Sequence, residues 1–302
     1  MYFKRTIVLA IVGYLALFFV GCKRSNTSYE PLINGELVVD GVNRAYLMYV
    51  PSSYDSSTSV PLMLNFHGYG MSDNQQLQMS DMRDLAESEN FILIYPQGSV
   101  YDGATHWNVG SWTQGSSADD LGFTNGLIEK VASNYSIDLK RIYACGYSNG
   151  GFFSQELACL LSEKVAAIGT VGANMSTRTR NNCSPDHPIP VITISGTKDD
   201  IVTYDGTDPE GQISHQEVIS YWVDFNQTDA IADSSDVPDI STSDRSFVRL
   251  FQYRNGNNNV EIEHYKVIDG GHDWPGSYGN MDINANAVIW NFVSQFDIDG
   301  KI

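Results

Sequence analysis

RIYACGYSNGGFF, residues 141–153, joins an apolar β-prone run to a run of helical character through a serine set among glycines. Gly146, Tyr147, Ser148, Asn149 and Gly150 spell G-x-S-x-G, and Gly151 follows. Ile142, Tyr143, Ala144 and Cys145 lead in as a strand, and residues 152–161 lead out as a helix. Between a strand and a helix this pattern is a nucleophile elbow, a sharp turn that lifts the serine hydroxyl above the sheet. Glycines two before and two after the serine leave room where strand and helix crowd together. A plain glycine-rich turn carries the same letters, so the flanks decide the reading.

Outward from the elbow, apolar runs alternate with helical spacing. Residues 61–66 and 91–95 are short apolar runs of the kind buried strands show, the second stopped by Pro96. Between them Ser72 or Asp73 caps a helix carrying Leu77, Met82, Leu85 and Ala86 toward the core. A helix from about Ala118 places Leu121, Ile128, Val131 and Tyr135 on one face. Residues 165–171 and 189–195 are further strands, 215–225 a helix, 247–253 and 260–268 late strands, and 284–296 the last helix. Residues 35–50 read as two strands joined at Asp40-Gly41, a hairpin signal. Strands alternating with helices predict an α/β fold with a mostly parallel sheet covered on both faces. The polar stretch 228–244 is expected as an exposed insertion, and 97–117 as a long loop. No internal repeat is present.

The chain has 302 residues, 18 Lys and Arg against 36 Asp and Glu, and a formal charge of −18. No basic patch interrupts that acidity, which excludes a nucleic-acid partner. Residues 1–22 read as a lipoprotein-type signal peptide: Lys4 and Arg5, an apolar run over 6–20, then Gly21-Cys22. The ending resembles a bacterial lipobox with Phe19 where Leu is usual, so Cys22 is the expected lipidation site. Residues 23–35 form a tether, and 36–302 a single α/β-hydrolase catalytic domain. The expected location is outside the cytoplasm, at a membrane or cell surface or secreted. In an oxidising compartment Cys159 and Cys183 are candidates to pair, while Cys145, in the elbow strand, is a buried thiol. No Cys or His spacing suits zinc, and neither metal nor cofactor is expected.

A serine hydroxyl needs a neighbouring base. In the α/β-hydrolase layout the chain order is Ser, then Asp or Glu, then His. His215 lies on a predicted helix and His264 inside a strand. His272 lies in a loop after the last strand and is the choice for the base. The acid should follow a late strand, where Asp199 and Asp200 both qualify by position. Two backbone N–H groups must receive the developing oxyanion. Asn149, next after the serine, supplies one; Tyr69, in the loop after the strand 61–66, supplies the other.

These stretches together resemble the extracellular poly(3-hydroxybutyrate) depolymerase-like and feruloyl esterase-like proteins. The resemblance rests on HGYG (67–70), WNVGSW (107–112), ADDLGF (118–123), GYSNGG (146–151), SGTKDD (195–200) and GGHDWPG (270–276), and it covers most of the chain after residue 35. It implies Asp199 as the acid and His272 as the base, and it supports the pairing of Cys159 with Cys183. Ser195 and Thr203 stand where the family often has His and Pro, and cysteines common around 107–112 are missing, so substrate preference is not carried over. Tyr101, Trp107, Trp112 and Trp274 are the expected substrate-binding aromatics, with packing in the core as the other reading for the tryptophans. The expected activity is ester hydrolysis through an acyl-enzyme, on feruloyl or acetyl esters of plant glycan or on hydroxyalkanoate polyester. A prolyl-peptidase type of serine peptidase and a non-catalytic glycan-binding surface lipoprotein are the alternatives.

Overall fold

The computed structural model describes residues 29–206 and 211–302. The expected signal segment, its Cys22 and residues 23–28 of the tether lie outside the described residues. The sheet strands are β1 (Ile33–Val39), β2 (Val42–Tyr49), β3 (Val60–Phe66), β4 (Ile92–Pro96), β7 (Ile137–Tyr147), β8 (Ala167–Val171), β9 (Val191–Gly196), β10 (Asp233–Asp236), β11 (Phe247–Tyr253) and β12 (Ile262–Ile268). Two small hairpins, β5 (Ser99–Tyr101) with β6 (Ala104–His106) and β13 (Phe296–Asp297) with β14 (Gly300–Lys301), stand apart. The ten strands lie in the order β1-β2-β4-β3-β7-β8-β9-β12-β11-β10. The block β4-β3-β7-β8-β9-β12 is parallel, and antiparallel strands close both edges.

Helices cover both faces, as a largely parallel sheet requires. On one side α3 (Asp120–Asn134), α4 (Asn149–Leu160) and α6 (His215–Asn226) pack on Leu62, Leu64, Phe66, Ile142 and Ala144. On the other, α1 (Asp73–Met79), α2 (Arg83–Glu89) and α7 (Ala285–Val293) pack on Met63, Leu93, Tyr143 and Cys145. Successive residues of one strand thus feed opposite cores, because strand side chains alternate faces. The buried Cys145 thiol sits in the second core, and burial pushes it well above the ordinary thiol range.

The single helix expected after Ser72 is two. Ser72 caps α1 with a capping box through Gln75, but the chain breaks at Ser80, whose hydroxyl bonds back to the Gln76 carbonyl. Met82 then opens α2. The expected insertion 228–244 contains an edge strand, β10. Its sequence is all polar and it exists by pairing with β11, helped by Arg249–Asp236 and Arg254–Asp233. Within 97–117 the β5–β6 hairpin and a 3₁₀ turn at Ser111–Thr113 supply local structure.

Cys159, late in α4, is bonded to Cys183, which ends the short helix α5 (Thr177–Asn182), across a sequence separation of 24. On the chain-entropy view a loop of that length contributes about 3 kcal/mol. Cys183→Ser should therefore lower the unfolding free energy by about 3 kcal/mol in a urea melt without reductant. An unchanged midpoint would mean that the bridge adds nothing to stability.

Candidate active site

Ser148 sits between β7 and α4 at φ 51°, ψ −121°. A non-glycine residue rarely holds a positive φ, and the strain is of order 1–3 kcal/mol. The surroundings impose it. A Cβ at Gly146 would stand 2.4 Å from the Gly150 backbone, and one at Gly150 would stand 2.2 Å from the Phe66 carbonyl oxygen. The serine N–H is pinned to the Val171 carbonyl at 2.9 Å. Ser72, Ser176 and Ser214 spend their side chains capping α1, α5 and α6, whereas the Ser148 side chain makes no cap bond to α4. Among the described residues it has no hydrogen-bond partner, and it lies at the positive end of that helix.

His272 follows β12, and its Nδ1 lies 2.6 Å from Oδ2 of Asp199, which follows β9. Asp199 is 5 % exposed. Its Oδ1 accepts the N–H groups of Ile201 at 2.9 Å and Val202 at 2.7 Å. Every partner is a donor, so the acceptor-only carboxylate fits and the imidazole proton belongs on Nδ1. Nε2 is left with a bare lone pair. Asp200, the other carboxylate of that turn, is exposed and makes no described contact with His272.

Strand β8 lies between the serine strand and the aspartate strand, so the imidazole has to cross its end. Gly172 makes this feasible. Its φ is +57°, and a Cβ there would meet His272 Nδ1 at 3.1 Å. The imidazole also lies 4.8 Å, ring centre to ring centre, from Tyr147, whose hydroxyl donates to the His272 carbonyl at 2.7 Å. Among the described hydrogen bonds none joins Ser148 Oγ to the imidazole. Such bonds are often long in a free enzyme and tighten around substrate.

The loop after β3 is held by a neutral histidine. His67 Nε2 accepts from the Gly98 N–H at 2.9 Å and from Gln97 Nε2 at 3.1 Å. Its proton is therefore on Nδ1, which donates to the Gly68 carbonyl at 2.8 Å. Burial holds His67 down at about 4, which keeps the ring neutral. A trans peptide points its N–H opposite to its C=O. Fixing the Gly68 carbonyl therefore aims the Tyr69 N–H the other way. Gly68 itself borders the serine: a Cβ there would lie 3.4 Å from Ser148 Cβ. No described protein acceptor takes the Tyr69 N–H or the Asn149 N–H.

Trp107 ties these two loops together. Its backbone exchanges two bonds with the Asn149 side chain, at 2.7 and 3.0 Å, and its indole donates to the His67 carbonyl at 2.9 Å. It is stacked on Phe153 inside the core. Trp274 is equally buried, with its indole on Asn286. These two tryptophans therefore offer no open surface to a substrate; their large rings find more contact in the core than a loop face provides. Trp112 is exposed, edge-on to Phe152. Tyr101 lines a cleft of about 540 Å³ with Arg44, Gln97 and Ser116, and a second cavity of about 290 Å³ is lined by Asn108, Asp120, Glu156 and Arg178. Neither lining includes Ser148, Asp199 or His272. Sequence reasoning did not single out Gly172, Tyr147 or His67 for the site. Among the described residues no group of three or more His, Cys, Asp or Glu side chains is placed to hold a metal ion.

The comparisons with known proteins agree with this architecture. The chain is 27% identical over 263 residues to a bifunctional acetylxylan esterase/xylanase of Neocallimastix patriciarum, covering 87% of this chain and 35% of that one. It is 30% identical over 165 residues to feruloyl esterase B of Piromyces equi, covering 54% and 30%. It thus spans about a third of the length of these relatives. The solved acetyl xylan esterase from Aspergillus awamori superposes with a TM-score of 0.61 at 15% identity, covering 88% of this chain and 99% of that one. No family model matches the chain. The fold is the α/β-hydrolase fold, and the proteins it resembles are feruloyl and acetylxylan esterases.

Proposed function

We propose that this protein is a serine esterase that cleaves carboxylic esters carried by plant glycan, with Ser148 as nucleophile, His272 as base and Asp199 as orienting acid. The observation that carries the reading is the 2.6 Å His272–Asp199 bond beside a serine held at φ 51°. In this mechanism His272 Nε2 takes the hydroxyl proton as Ser148 Oγ attacks the ester carbonyl carbon. The resulting oxyanion rests on the N–H groups of Tyr69 and Asn149, aided by the N-terminus of α4. The tetrahedral intermediate collapses, the C–O bond to the alcohol breaks, and His272 returns the proton to that oxygen. Water then attacks the acyl-enzyme, again giving its proton to His272, and the acid leaves as Ser148 regains a proton. Apart from the attacking water, these steps use the side chains and backbone groups named above.

Glycan esters are preferred over hydroxyalkanoate polyester because the relatives carry acetylxylan and feruloyl esters in their names. An open site suits a bulky, chain-borne ester: Tyr69 and Ile201, beside the two loops, are exposed, and so is Tyr278, near Tyr147. Export and lipid anchoring at Cys22 belong to the same reading; among the described residues no helix is long and apolar enough to cross a membrane.

The test is covalent labelling followed by turnover. A fluorophosphonate should modify Ser148, located by peptide mass spectrometry. Acetylated xylan or methyl ferulate should then be turned over faster than hydroxybutyrate oligomers. Absence of labelling would remove the nucleophile. Faster cleavage of the oligomers would leave the nucleophile standing and overturn the substrate class.

A further inference from the structure

Behind the Asp199 turn lies a polar cluster that the proposed chemistry does not use. Thr193 and Ser195 project from β9, His215 opens α6, His264 lies in β12, and Asn174 follows β8. All five are buried. Tyr204, five residues past Asp199, reaches in from the loop.

The proton positions follow from the partners. Asn174 donates its Nδ2 to the Thr203 carbonyl at 3.0 Å, so its Oδ1 faces His215 Nδ1, 3.1 Å away, as an acceptor. His215 Nδ1 therefore carries a proton, which Ser195 Oγ shares at 3.2 Å. His215 Nε2 is bare and accepts the Thr193 hydroxyl at 3.1 Å. The His264 Nδ1 proton is shared between the Thr193 oxygen at 2.9 Å and His215 Nε2 at 3.1 Å. His264 Nε2, bare, accepts the Tyr204 hydroxyl at 2.8 Å. Every proton in this chain has a direction, and neither ring needs a charge. Burial lowers His215 to about 3 and His264 well below its ordinary range. With neither an exposed nitrogen nor a carboxylate partner, the two rings are not rivals to His272.

Both ends of the chain grip the same short loop. One end holds the Thr203 carbonyl and the other the Tyr204 hydroxyl; the Tyr204 carbonyl also accepts the His215 N–H at 2.9 Å. That loop begins at Asp199 and folds its Ile201 and Val202 N–H groups onto the carboxylate. We propose that Tyr204–His264–Thr193–His215–Asn174 is a positioning network that holds residues 199–204, and so keeps Asp199 in bonding register with His272. The inference rests on the esterase reading above. Tyr204 and Asn174 are positioning residues: their side chains are engaged by His264 and by the Thr203 carbonyl, and each acts through the aspartate. A small displacement of the carboxylate weakens its hold on the imidazolium that forms in the transition state, while binding of the ester is untouched.

The experiment uses the full chain with a soluble aryl ester, scored first for fluorophosphonate labelling of the parent. Tyr204→Phe removes one oxygen and frees one end of the network; Asn174→Ala frees the other. Each should lower kcat by about tenfold with KM within about twofold of the parent. The acid limb of the pH profile of kcat/KM should move to lower pH in both, because the imidazolium has lost support. Since the two ends act on one loop, the double variant should lose less than the product of the single losses. A parent that neither labels nor turns over sinks the esterase reading itself. A labelled parent whose folded variants keep its kcat and its acid limb, and lose only thermal stability, overturns the positioning role.

Discussion

Ser148→Ala should lower kcat/KM toward a soluble aryl ester by on the order of five powers of ten, with the unfolding temperature nearly that of the parent. The size of the loss follows from what is removed: one oxygen, the atom that the proposed mechanism joins to the acyl group. The residue that survives is background catalysis from the oxyanion donors and from binding. The small stability effect follows from the hydrogen bonds. Ser148 Oγ caps nothing in α4, so its removal strands no buried partner. The strained φ stays, because it is imposed by the glycines and by the bond from the Ser148 N–H to Val171. Rate and melting temperature measured side by side decide the matter. A variant that folds and turns over like the parent would move the chemistry to another residue.

Asp199→Asn should cost about 10⁴-fold in kcat near neutral pH, although the side chain keeps its shape. The reason lies in who faces the carboxylate. Oδ1 receives two backbone N–H groups and Oδ2 receives His272 Nδ1. An asparagine must offer its oxygen to the two N–H groups, since an NH₂ there would confront two donors. Its NH₂ then points at His272, which has to present Nδ1 as an acceptor. The ring proton moves to Nε2, the nitrogen that should receive the serine proton, and the base is occupied. Steady-state kinetics on the purified variant read the loss directly. A drop smaller than about tenfold would show that the tautomer argument does not govern this site.

How much of this could be read beforehand divides along physical lines. The elbow was legible because its signal is steric: glycines at 146 and 150 are there because a Cβ would strike backbone. The parallel core was legible through short apolar runs separated by helical spacing, and the hairpin at Asp40-Gly41 through turn chemistry. Chemistry alone left Asp199 level with Asp200, and a family resemblance favoured the first. The geometry distinguishes them by burial and by the imidazole contact. Non-local effects were hidden. Nothing in the letters of 228–244 announces a strand, since β10 forms only because β11 offers an edge. Trp107 and Trp274 look alike whether they line a pocket or fill a core, because an aromatic ring in a loop serves either. The break between α1 and α2 falls at Ser80, whose backbone leaves the helical region at φ −128°, ψ 53° while its N–H and its hydroxyl both bond the Gln76 carbonyl. Gly172 had no signature at all: its role exists only once β8 is known to separate two other strands.

That strand order also sets when the proposed triad can assemble. A chain leaving the ribosome completes the serine turn near its middle, the aspartate later, and the imidazole only after β12 has slotted beside β9. Until then, on the proposed chemistry, the hydroxyl at 148 has no base to give its proton to, and an unfinished polypeptide would be inert toward esters.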